Sequence, residues 1–494
     1  MVPRVVSDPG PSMRPVLKAA GASSTAAVVS AVAGAVRVKL YAVLLGPAGM
    51  GVVSQVQTVA NTLQVVAALG SGVGVSREVA RARGAGDQAR AAAVVGTARW
   101  MGLALAALLA LLLAGLSAPL AVWLLGDARA ALLLIIAAAA LPFGALGRVI
   151  GEAVSGLRDY RLGAKTGIAS SLVGLGVPAI LVWRFGLTGA VASIPCVAFL
   201  SWLVLRRLAR AAHPWLAEAR THLDRGVARV LLRVSAASLA LSVCDQLVLL
   251  AVRARLIAGE GAAGNGLFQG VWALSQTSLN VAVAFLMSYS FARIQETPAT
   301  EDRVRETNHA VRMTLLLMAP VVAAMILGRF LLIEVFLSPA FRPAAPMFAW
   351  QAGGDFLHAV GRALGVGVLA FATVRVWLVL GLLASGTFLA GFLFLADRTG
   401  LLAAPQAWLL SGAVYLVATY AVVRRRLRFR LYPRARVLWW GSALLVAGSA
   451  LTADGSLRSY ALGGALFLAW SALAVRRADV QEVARALRAR LRSE

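Results

Sequence analysis

Residues 145–151, Ala-Leu-Gly-Arg-Val-Ile-Gly, have a near copy at residues 359–365, Ala-Val-Gly-Arg-Ala-Leu-Gly, which lies 214 positions further along the chain. The dipeptides Gly186-Leu187 and Gly400-Leu401 are separated by the same 214 positions. One such match would be expected by chance in a chain rich in Ala, Gly and Leu. Two matches at one offset indicate that the sequence contains two homologous halves.

A third pair of segments lies at almost the same offset. Gly49-Met-Gly-Val-Val-Ser-Gln-Val56 and Gly264-Asn-Gly-Leu-Phe-Gln-Gly-Val271 are 215 positions apart. Each of the three pairs occupies the same place within a unit of six apolar segments. The repeat therefore consists of about 214 residues.

The 494 residues are 60% hydrophobic and only 14% charged, with a mean hydropathy of +0.79. These values exclude a water-soluble globular protein, because such proteins have about 25% charged residues. A membrane-spanning helix needs about 20 apolar residues. Apolar windows bounded by charge clusters and Gly/Pro turns predict spans at 20–45, 51–75, 92–117, 130–155, 166–184, 188–205, 231–252, 266–291, 312–335, 346–370, 374–396, 406–423, 437–452 and 460–475. The sequence thus predicts an all-α polytopic membrane protein with about fourteen transmembrane helices.

Because each half has an even number of spans, both halves have the same orientation in the membrane. Such parallel repeats are related by an axis along the membrane normal, with a cavity between them, as in alternating-access transporters. Two extra helices follow the second half. The predicted parts are a cytoplasmic N-terminal tail (1–15), an N-lobe of six spans (16–205), a cytoplasmic inter-lobe linker (206–230), a C-lobe of six spans (231–426), the two extra helices (427–475) and a basic amphipathic cytoplasmic tail (476–494).

The 48 Lys and Arg residues exceed the 21 acidic residues and give a net charge of +27. If the N-terminus is cytoplasmic, 36 basic residues fall on the inner side and 8, including Arg253 and Arg255, in outer loops. This asymmetry follows the positive-inside rule and predicts that both termini are cytoplasmic. The charge therefore indicates membrane topology and contact with anionic lipid, and not nucleic-acid binding. The spacing of residues 479–492 predicts a short helix on the inner membrane surface.

Charged residues inside the predicted spans are candidates for function, because intramembrane charge is costly and usually faces a cavity or a partner. Asp245 lies near the middle of span seven, at the end of a serine stripe. In span ten, Asp355, His358 and Arg362 lie on one helix face. These residues predict either a polar cavity wall with ion-coupling or ion-pairing acids, or a structural polar network.

Four further charges lie in the first half of the chain. Arg148 and Glu152 are one helical turn apart in span four, and Arg148 is the repeat counterpart of Arg362. Arg37 and Lys39 lie in the outer half of span one. Arginine and lysine at these depths either bind an anionic substrate in the cavity or extend to the membrane interface.

Uncharged polar residues form a stripe in each of two predicted spans. Gln57 and Asn61 lie in span two, and Gln269, Gln276 and Asn280 lie in span eight. Their amides either line the cavity and bind a hydroxyl-rich ligand or hydrogen-bond between helices.

Motifs for catalysis, cofactor binding and metal binding are missing from the sequence. It has no P-loop, no HExxH and no GxSxG. Cys196 and Cys244 lie in apolar runs without metal-ligand spacing. We therefore expect a transporter without a cofactor or a metal and not an enzyme. The apolar first span has no cleavage site, so no cleaved signal peptide is predicted.

Five segments resemble the Wzx-type lipid-linked oligosaccharide flippases, nearest to the flippase for the lipid carrier of enterobacterial common antigen. They are Leu44-Leu-Gly-Pro-Ala-Gly-Met-Gly51, Val95-Gly96-Thr97, Gly156-Leu-Arg-Asp-Tyr160, the 264–271 segment quoted above and Phe348-Ala-Trp-Gln-Ala-Gly-Gly-Asp355. The resemblance covers residues 16–426, and the last segment is its most specific part. These flippases belong to the multidrug/oligosaccharidyl-lipid/polysaccharide exporter superfamily, which has a MATE-like two-lobe fold.

The resemblance implies a flippase in the bacterial inner membrane that moves an undecaprenyl-diphosphate-linked glycan to the periplasmic leaflet for O-antigen or exopolysaccharide synthesis. A polysaccharide polymerase and chain-length proteins are then expected partners. One alternative is a drug/cation antiporter of the same superfamily, in which Asp245 and Asp355 couple to ions. Another is a non-transporting membrane component of polysaccharide assembly. The slight excess of cations among the intramembrane charges favours an anionic substrate.

Overall fold

A computed structural model of the protein describes residues 13–68, 73–286, 300–371, 374–452 and 455–474. Within these ranges all regular secondary structure is helical. The first ten helices are α1 (Met13–Leu44), α2 (Gly46–Ala67), α3 (Val73–Gly84), α4 (Gln88–Gly115), α5 (Ser117–Leu125), α6 (Ala131–Ala138), α7 (Leu141–Gly156), α8 (Tyr160–Ala212), α9 (Pro214–Glu218) and α10 (Arg225–Phe285). The remaining seven are α11 (Thr300–Leu327), α12 (Arg329–Phe336), α13 (Met347–Phe371), α14 (Val374–Thr399), α15 (Ala403–Leu427), α16 (Pro433–Thr452) and α17 (Leu457–Ala474).

Each predicted span overlaps one or two of these helices, and the all-helical polytopic membrane fold is confirmed. The count of fourteen crossings stays a prediction. Seven helical stretches are long and apolar enough to cross a membrane: Gln88–Gly115, Ala128–Gly156, Tyr160–Ala212, Arg225–Asn280, Asp302–Leu327, Arg375–Arg426 and Leu457–Ala474. Three of them have 53, 56 and 52 residues, and each is therefore long enough for two crossings. The predicted surface helix at 479–492 lies outside the described residues.

Several predicted boundaries differ from the structure. The span predicted at 51–75 begins earlier, and its helix ends at Ala67. The span predicted at 130–155 is divided between α6 and α7, and the one at 312–335 is divided between α11 and α12. Arg253 and Arg255, which the charge pattern placed in an outer loop, lie inside α10. Arg253 has a polar partner there, the side-chain amide oxygen of Gln269.

Backbone geometry repeats with the same period as the sequence. Helix α8 contains a break at Gly186, where φ is +55°, and Gly400 also has a φ of +55°. Gly46 and Gly261 have φ values of +63° and +71°. Only glycine adopts this left-handed region without steric cost, so glycine is required where each pair of helices turns back. The two halves therefore share the positions of their turns.

The chain folds into two compact units. The first unit comprises Met1–Arg37, Val56–Trp123 and Asp127–Val243, and the second comprises Val38–Gln55, Leu124–Gly126 and Cys244–Glu494. The predicted lobe boundaries stay a prediction.

Each unit has a hydrophobic core of its own. In the first unit, α3, α4, α7 and α8 pack around Val79, Val95 and Val149. In the second unit, α13 packs against α11 and α15, around residues such as Phe356 and Val360. Helices α16 and α17, which lie beyond the repeat, pack against α11 in the same unit. Their core residues include Leu438 and Trp470.

Candidate functional site

The segment Phe348–Asp355 places a fully buried carboxylate in the second unit. Asp355 accepts hydrogen bonds from the hydroxyl of Ser275 on α10 and from the indole Nε1 of Trp408 on α15, the latter at 2.9 Å. The amide of Gln351 donates to the Ser275 hydroxyl at 3.1 Å. Three helices are thus joined through one acid, and we refer to Asp355, Ser275, Gln351, Trp408 and His358 as the polar cluster.

Glycines allow the aromatic part of this cluster to approach α13. A Cβ atom on Gly354 would clash with the Trp408 indole, and one on Gly361 would lie 2.6 Å from the ring of Tyr415. His358 lies between these positions and stacks on both rings, with centroids 4.0 Å from Trp408 and 5.8 Å from Tyr415. The Gly-Gly-Asp sequence therefore combines close helix packing with a polar group.

The other acidic candidates and Arg362 lack ionic partners within the described part of the chain. Asp245 accepts a hydrogen bond from the Ser385 hydroxyl. Neither Asp245, Asp355 nor Glu152 lies within 4 Å of a basic nitrogen among the described residues. Arg362 is half-buried and forms no described ion pair with Asp355. Their coupling and ion-pair roles stay predictions.

Arg253 is a buried cation in α10 that the sequence pattern did not single out. It is 3% exposed, donates through Nη2 to the Gln269 amide oxygen and lies 5.6 Å from the ring centroid of Phe268. Its Nε and Nη1 atoms have no hydrogen-bond partner among the described residues. A signal was present in the sequence, because Arg37-Val-Lys39 is followed 216 positions later by Arg253-Ala-Arg255, close to the repeat offset.

The remaining candidate residues of the second unit do not take part in the hydrogen bonds of the polar cluster. Lys39 donates to the backbone oxygen of Glu334 at 2.6 Å. Gln276 is half-buried and Asn280 is exposed. Within the described ranges, neither amide has a hydrogen bond.

The candidates in the first unit include both hydrogen-bonded and unpaired side chains. Arg37 is exposed and has a long contact of 3.4 Å to the carbonyl of Gly174. Gln57 donates to Asn61 at 3.0 Å, so part of this stripe forms an internal hydrogen bond. Arg148 is exposed, and it forms no ion pair with Glu152 among the described residues.

The repeated glycine motifs contact each other within the second unit. A Cβ on Gly51 would clash with the carbonyl of Ala262, and a Cβ on Gly266 would clash with the carbonyl of Pro47. These two contacts are equivalent under the 215-residue offset. The side chain of Asn265 also donates to the carbonyl of Gly51 at 2.7 Å. The start of α2 and the corresponding part of α10 therefore meet backbone to backbone.

The cations of the candidate set form no ion pair within 4 Å among the described residues. Towards the helix ends, acids pair with arginines, as in Arg255 with Asp397 at 2.5 Å and Arg342 with Glu334 at 2.7 Å. Asp245 and Asp355 accept hydrogen bonds from neutral donors instead. Arg37, Lys39, Arg148, Arg253 and Arg362 therefore have no carboxylate partner in the described part of the chain. Such side chains can bind an anion.

These features define a polytopic, all-helical membrane protein. Residues 16–265 match the family described as "Polysaccharide biosynthesis protein", and the chain belongs to this family. It is 28% identical to the lipid III flippase of Escherichia coli K12 over 381 residues, which cover 76% of this chain and 90% of the flippase. The lipid III flippase of Shigella flexneri matches with the same identity and coverage.

Solved structures show the same fold. The lipid II flippase MurJ in an inward closed conformation aligns with a TM-score of 0.72 at 11% identity, over 92% of this chain and 98% of that chain. An inward-facing MATE multidrug transporter of the MOP superfamily aligns with a TM-score of 0.65 at 15% identity, over 81% of this chain and 94% of that chain. The resemblance to flippases of this superfamily is confirmed, and the relatives are flippases and transporters, not enzymes.

Proposed function

We propose that the protein is a flippase that moves a prenyl-diphosphate-linked oligosaccharide from the cytoplasmic to the periplasmic leaflet of the bacterial inner membrane by alternating access. The similarity to the lipid III flippases extends over 90% of those proteins, which supports a lipid-linked glycan precursor as the substrate. Membership of the polysaccharide biosynthesis family supports a product that enters a polysaccharide such as O-antigen or exopolysaccharide.

The observation on which the proposal depends is a set of cations that form no close ion pair with an acid. Five basic side chains in helical segments lack a carboxylate partner among the described residues, whereas Asp245 and Asp355 are held by a serine hydroxyl and by neutral donors. A diphosphate is the anionic part of the proposed substrate, and guanidinium groups bind phosphate oxygens in a bidentate manner. The prenyl chain can stay in lipid.

Amide side chains provide groups that suit the glycan. Gln57 and Asn61 lie on α2, and Gln276 and Asn280 lie on the later part of α10. Asn61 and Gln276 are 215 positions apart and therefore correspond in the two repeats. Amides both donate and accept hydrogen bonds, so they match sugar hydroxyls. We propose that these residues, with Arg37, Arg148 and Arg362, contact the headgroup during translocation, and that a polysaccharide polymerase and chain-length proteins act after it.

The first test is deletion of the gene, followed by analysis of the lipid-linked intermediates. We expect the lipid-linked oligosaccharide to accumulate on the cytoplasmic face and the surface polysaccharide to be lost. If both were unchanged, the proposal would be wrong.

The second test measures transport with variants in proteoliposomes. A fluorescent prenyl-diphosphate-linked disaccharide is the substrate, and its movement between leaflets is followed by quenching from outside. We expect Arg37→Gln to lower the rate at least ten-fold at equal protein amount, because one phosphate ligand is removed. Arg129→Gln is the matched control, because Arg129 is exposed in the short 3₁₀ turn before α6. Equal rates for both variants would exclude the phosphate role of Arg37, and movement of a cationic dye without the glycolipid would support an antiporter instead.

A further inference from the structure

A second cationic site lies in the first unit, at helix ends that hold none of the candidate residues described above. The pocket has a volume of about 420 Å³ and is formed where α3 ends, where α7 turns into α8 and where α8 turns into α9. This volume lies in the range of about 300–1,000 Å³ that is typical of small-molecule pockets. The lining residues are Arg83, Leu157, Arg158, Asp159, Tyr160, Arg161 and His213.

Three guanidinium groups dominate the charge of this pocket. Arg83 is fixed by a hydrogen bond from Nη1 to the carbonyl of Leu157. Arg158 and Arg161 are exposed and have no side-chain hydrogen bond or ion pair among the described residues. Their donors can therefore bind a ligand without breaking a contact inside the protein.

The single acid of the pocket is engaged by other groups. One oxygen of Asp159 accepts the backbone N–H of Leu162 at 3.0 Å, and the other accepts Nε2 of His213 at 3.1 Å. Three arginines against one carboxylate leave an excess of two positive charges when His213 is neutral. The Asp159 hydrogen bonds direct the carboxylate to α8 and to His213, so the arginines are not neutralised by an ion pair.

The position of the pocket identifies the kind of anion. The candidate span Ala128–Gly156 ends two residues before Arg158, and the stretch Tyr160–Ala212 both begins and ends at the pocket. The pocket is thus at the level where apolar spans meet water, and Tyr160 is an exposed aromatic residue of the type that lies at membrane interfaces. The predicted topology puts this end on the cytoplasmic side, where anionic lipids give the leaflet a negative surface potential.

We propose that this pocket binds the phosphate headgroup of an anionic phospholipid. Arg158 and Arg161 contact the phosphate oxygens, Arg83 supplies the third positive charge, and the Tyr160 hydroxyl is a further donor. The acyl chains extend along the apolar surface of α7 and α8. This phospholipid site is separate from the proposed glycolipid transport, and phospholipid binding can be measured in the absence of transport.

The test is native mass spectrometry of the full-length protein in a neutral detergent, titrated with phosphatidylglycerol or with phosphatidylcholine. We expect preferential retention of phosphatidylglycerol, and we expect the double variant Arg158→Gln/Arg161→Gln to weaken its apparent affinity at least ten-fold. The matched control is Arg207→Gln/Arg210→Gln, which removes the same charge from exposed positions at the end of α8 outside the pocket. The control should stay within two-fold of the wild type.

Three results would overturn the proposal. Equal losses in both double variants would mean a diffuse basic surface. Unchanged affinity in the Arg158/Arg161 variant would exclude the pocket. Displacement of the lipid by millimolar inorganic phosphate, with phosphate bound equally well in the absence of lipid, would mean that the ligand is free phosphate. Both arginines are exposed, so the double variant and the wild type should have equal unfolding temperatures in lipid-free detergent. If the double variant is unstable, the single variant Arg161→Glu is titrated with phosphatidylglycerol in its place.

Discussion

Asp355 shows how a buried carboxyl group is held by neutral hydrogen-bond donors. Its two oxygens accept hydrogen bonds from Ser275 and Trp408, and the side chain is completely buried. A buried acceptor that loses a donor costs about 1–3 kcal/mol, more than the net gain from an average hydrogen bond. The packing of the three helices therefore depends on each of the two hydrogen bonds that Asp355 accepts.

We expect Trp408→Phe to lower the free energy of unfolding by about 1–3 kcal/mol, because it removes the indole N–H and keeps an aromatic ring beside His358. Thermal unfolding of the detergent-purified protein measures the effect. Trp440→Phe is the control, since Trp440 on α16 is 63% exposed. An equal effect of both substitutions would mean that the hydrogen bond to Asp355 does not stabilise the fold.

Asp159 makes a pH-dependent contribution to stability. The pKa of its carboxyl is lowered, chiefly by the backbone N–H of Leu162, with a smaller contribution from His213 that acts against the effect of burial. A lowered pKa in the folded state means that the stabilisation is present at neutral pH and is lost as the pH falls through that value.

We expect Asp159→Asn, which keeps a capping oxygen but loses the charge, to lower the unfolding temperature at pH 7. The difference from the wild type should shrink as the pH is lowered below about 4, where an ordinary aspartate is protonated. Thermal unfolding curves of the variant and the wild type, recorded at pH 7 and at about pH 3.5, test this. A constant difference at both pH values would contradict the assignment.

At the scale of elements, the contact between α2 and α10 requires glycine on both sides. A methyl group on Gly51 would meet the carbonyl of Ala262, and the backbone of a helix cannot move away without disturbing the Asn265 hydrogen bond. We expect Gly51→Ala to destabilise the protein by about 1–3 kcal/mol and to reduce its abundance in the membrane. Gly34→Ala in α1 is the control, because a Cβ there meets no atom within 4 Å. Equal abundance of the two variants would show that the helices separate easily.

The segment between α8 and α10 is bound to α4 by an arginine. Arg99 donates through Nη1 to the carbonyl of Ala219 at 3.1 Å and through Nη2 to that of Leu216 at 2.6 Å. Thr97, in the same helix, accepts the backbone N–H of Asp224 at 3.2 Å. Within the linker predicted at 206–230, the segment from Leu216 to Asp224 is thus held against α4.

We expect Arg99→Gln to increase cleavage by trypsin after Arg220 several-fold, because the last turn of α9 loses two donors. Limited proteolysis of the detergent-solubilised protein, with mass spectrometry of the fragments, measures the rate of cleavage after Arg220. Arg129→Gln should leave the rate unchanged. If Arg99→Gln also leaves it unchanged, the segment is held by apolar packing around Leu216 alone.

The helices and the repeat could be predicted from the sequence because both depend on local patterns, as the matched turns at Gly186 and Gly400 show. The partners of Asp355 could not, since Ser275 and Trp408 lie 80 and 53 positions away and periodicity indicates a helix face without its neighbour. Arg253 was missed because charge was used to end the predicted span, whereas an amide on the following helical segment allows the cation to stay inside.

At the scale of the whole molecule, the number of crossings decides the side of the C-terminus. Helices α16 and α17 contain 20 and 18 residues, close to the length of about 20 that crosses the hydrocarbon core. Of the two, only Leu457–Ala474 is among the seven stretches that are long and apolar enough to span the membrane. The C-terminus is therefore cytoplasmic if both helices cross and periplasmic if α17 alone does.

The charge pattern favours two crossings. Seven arginines between Arg424 and Arg436 lie at the junction of α15 and α16, and basic residues of short loops stay on the cytoplasmic side. The turn between α16 and α17 is followed by one arginine, Arg458, whereas six lie after Ala474. We expect a reporter that is active only in the cytoplasm to give signal when fused after Arg426 and after Arg477, and to be silent after Arg458. Signal after Arg426 with silence after Arg477 would mean that only one of the two helices crosses, and the even count of spans beyond the repeat would be wrong.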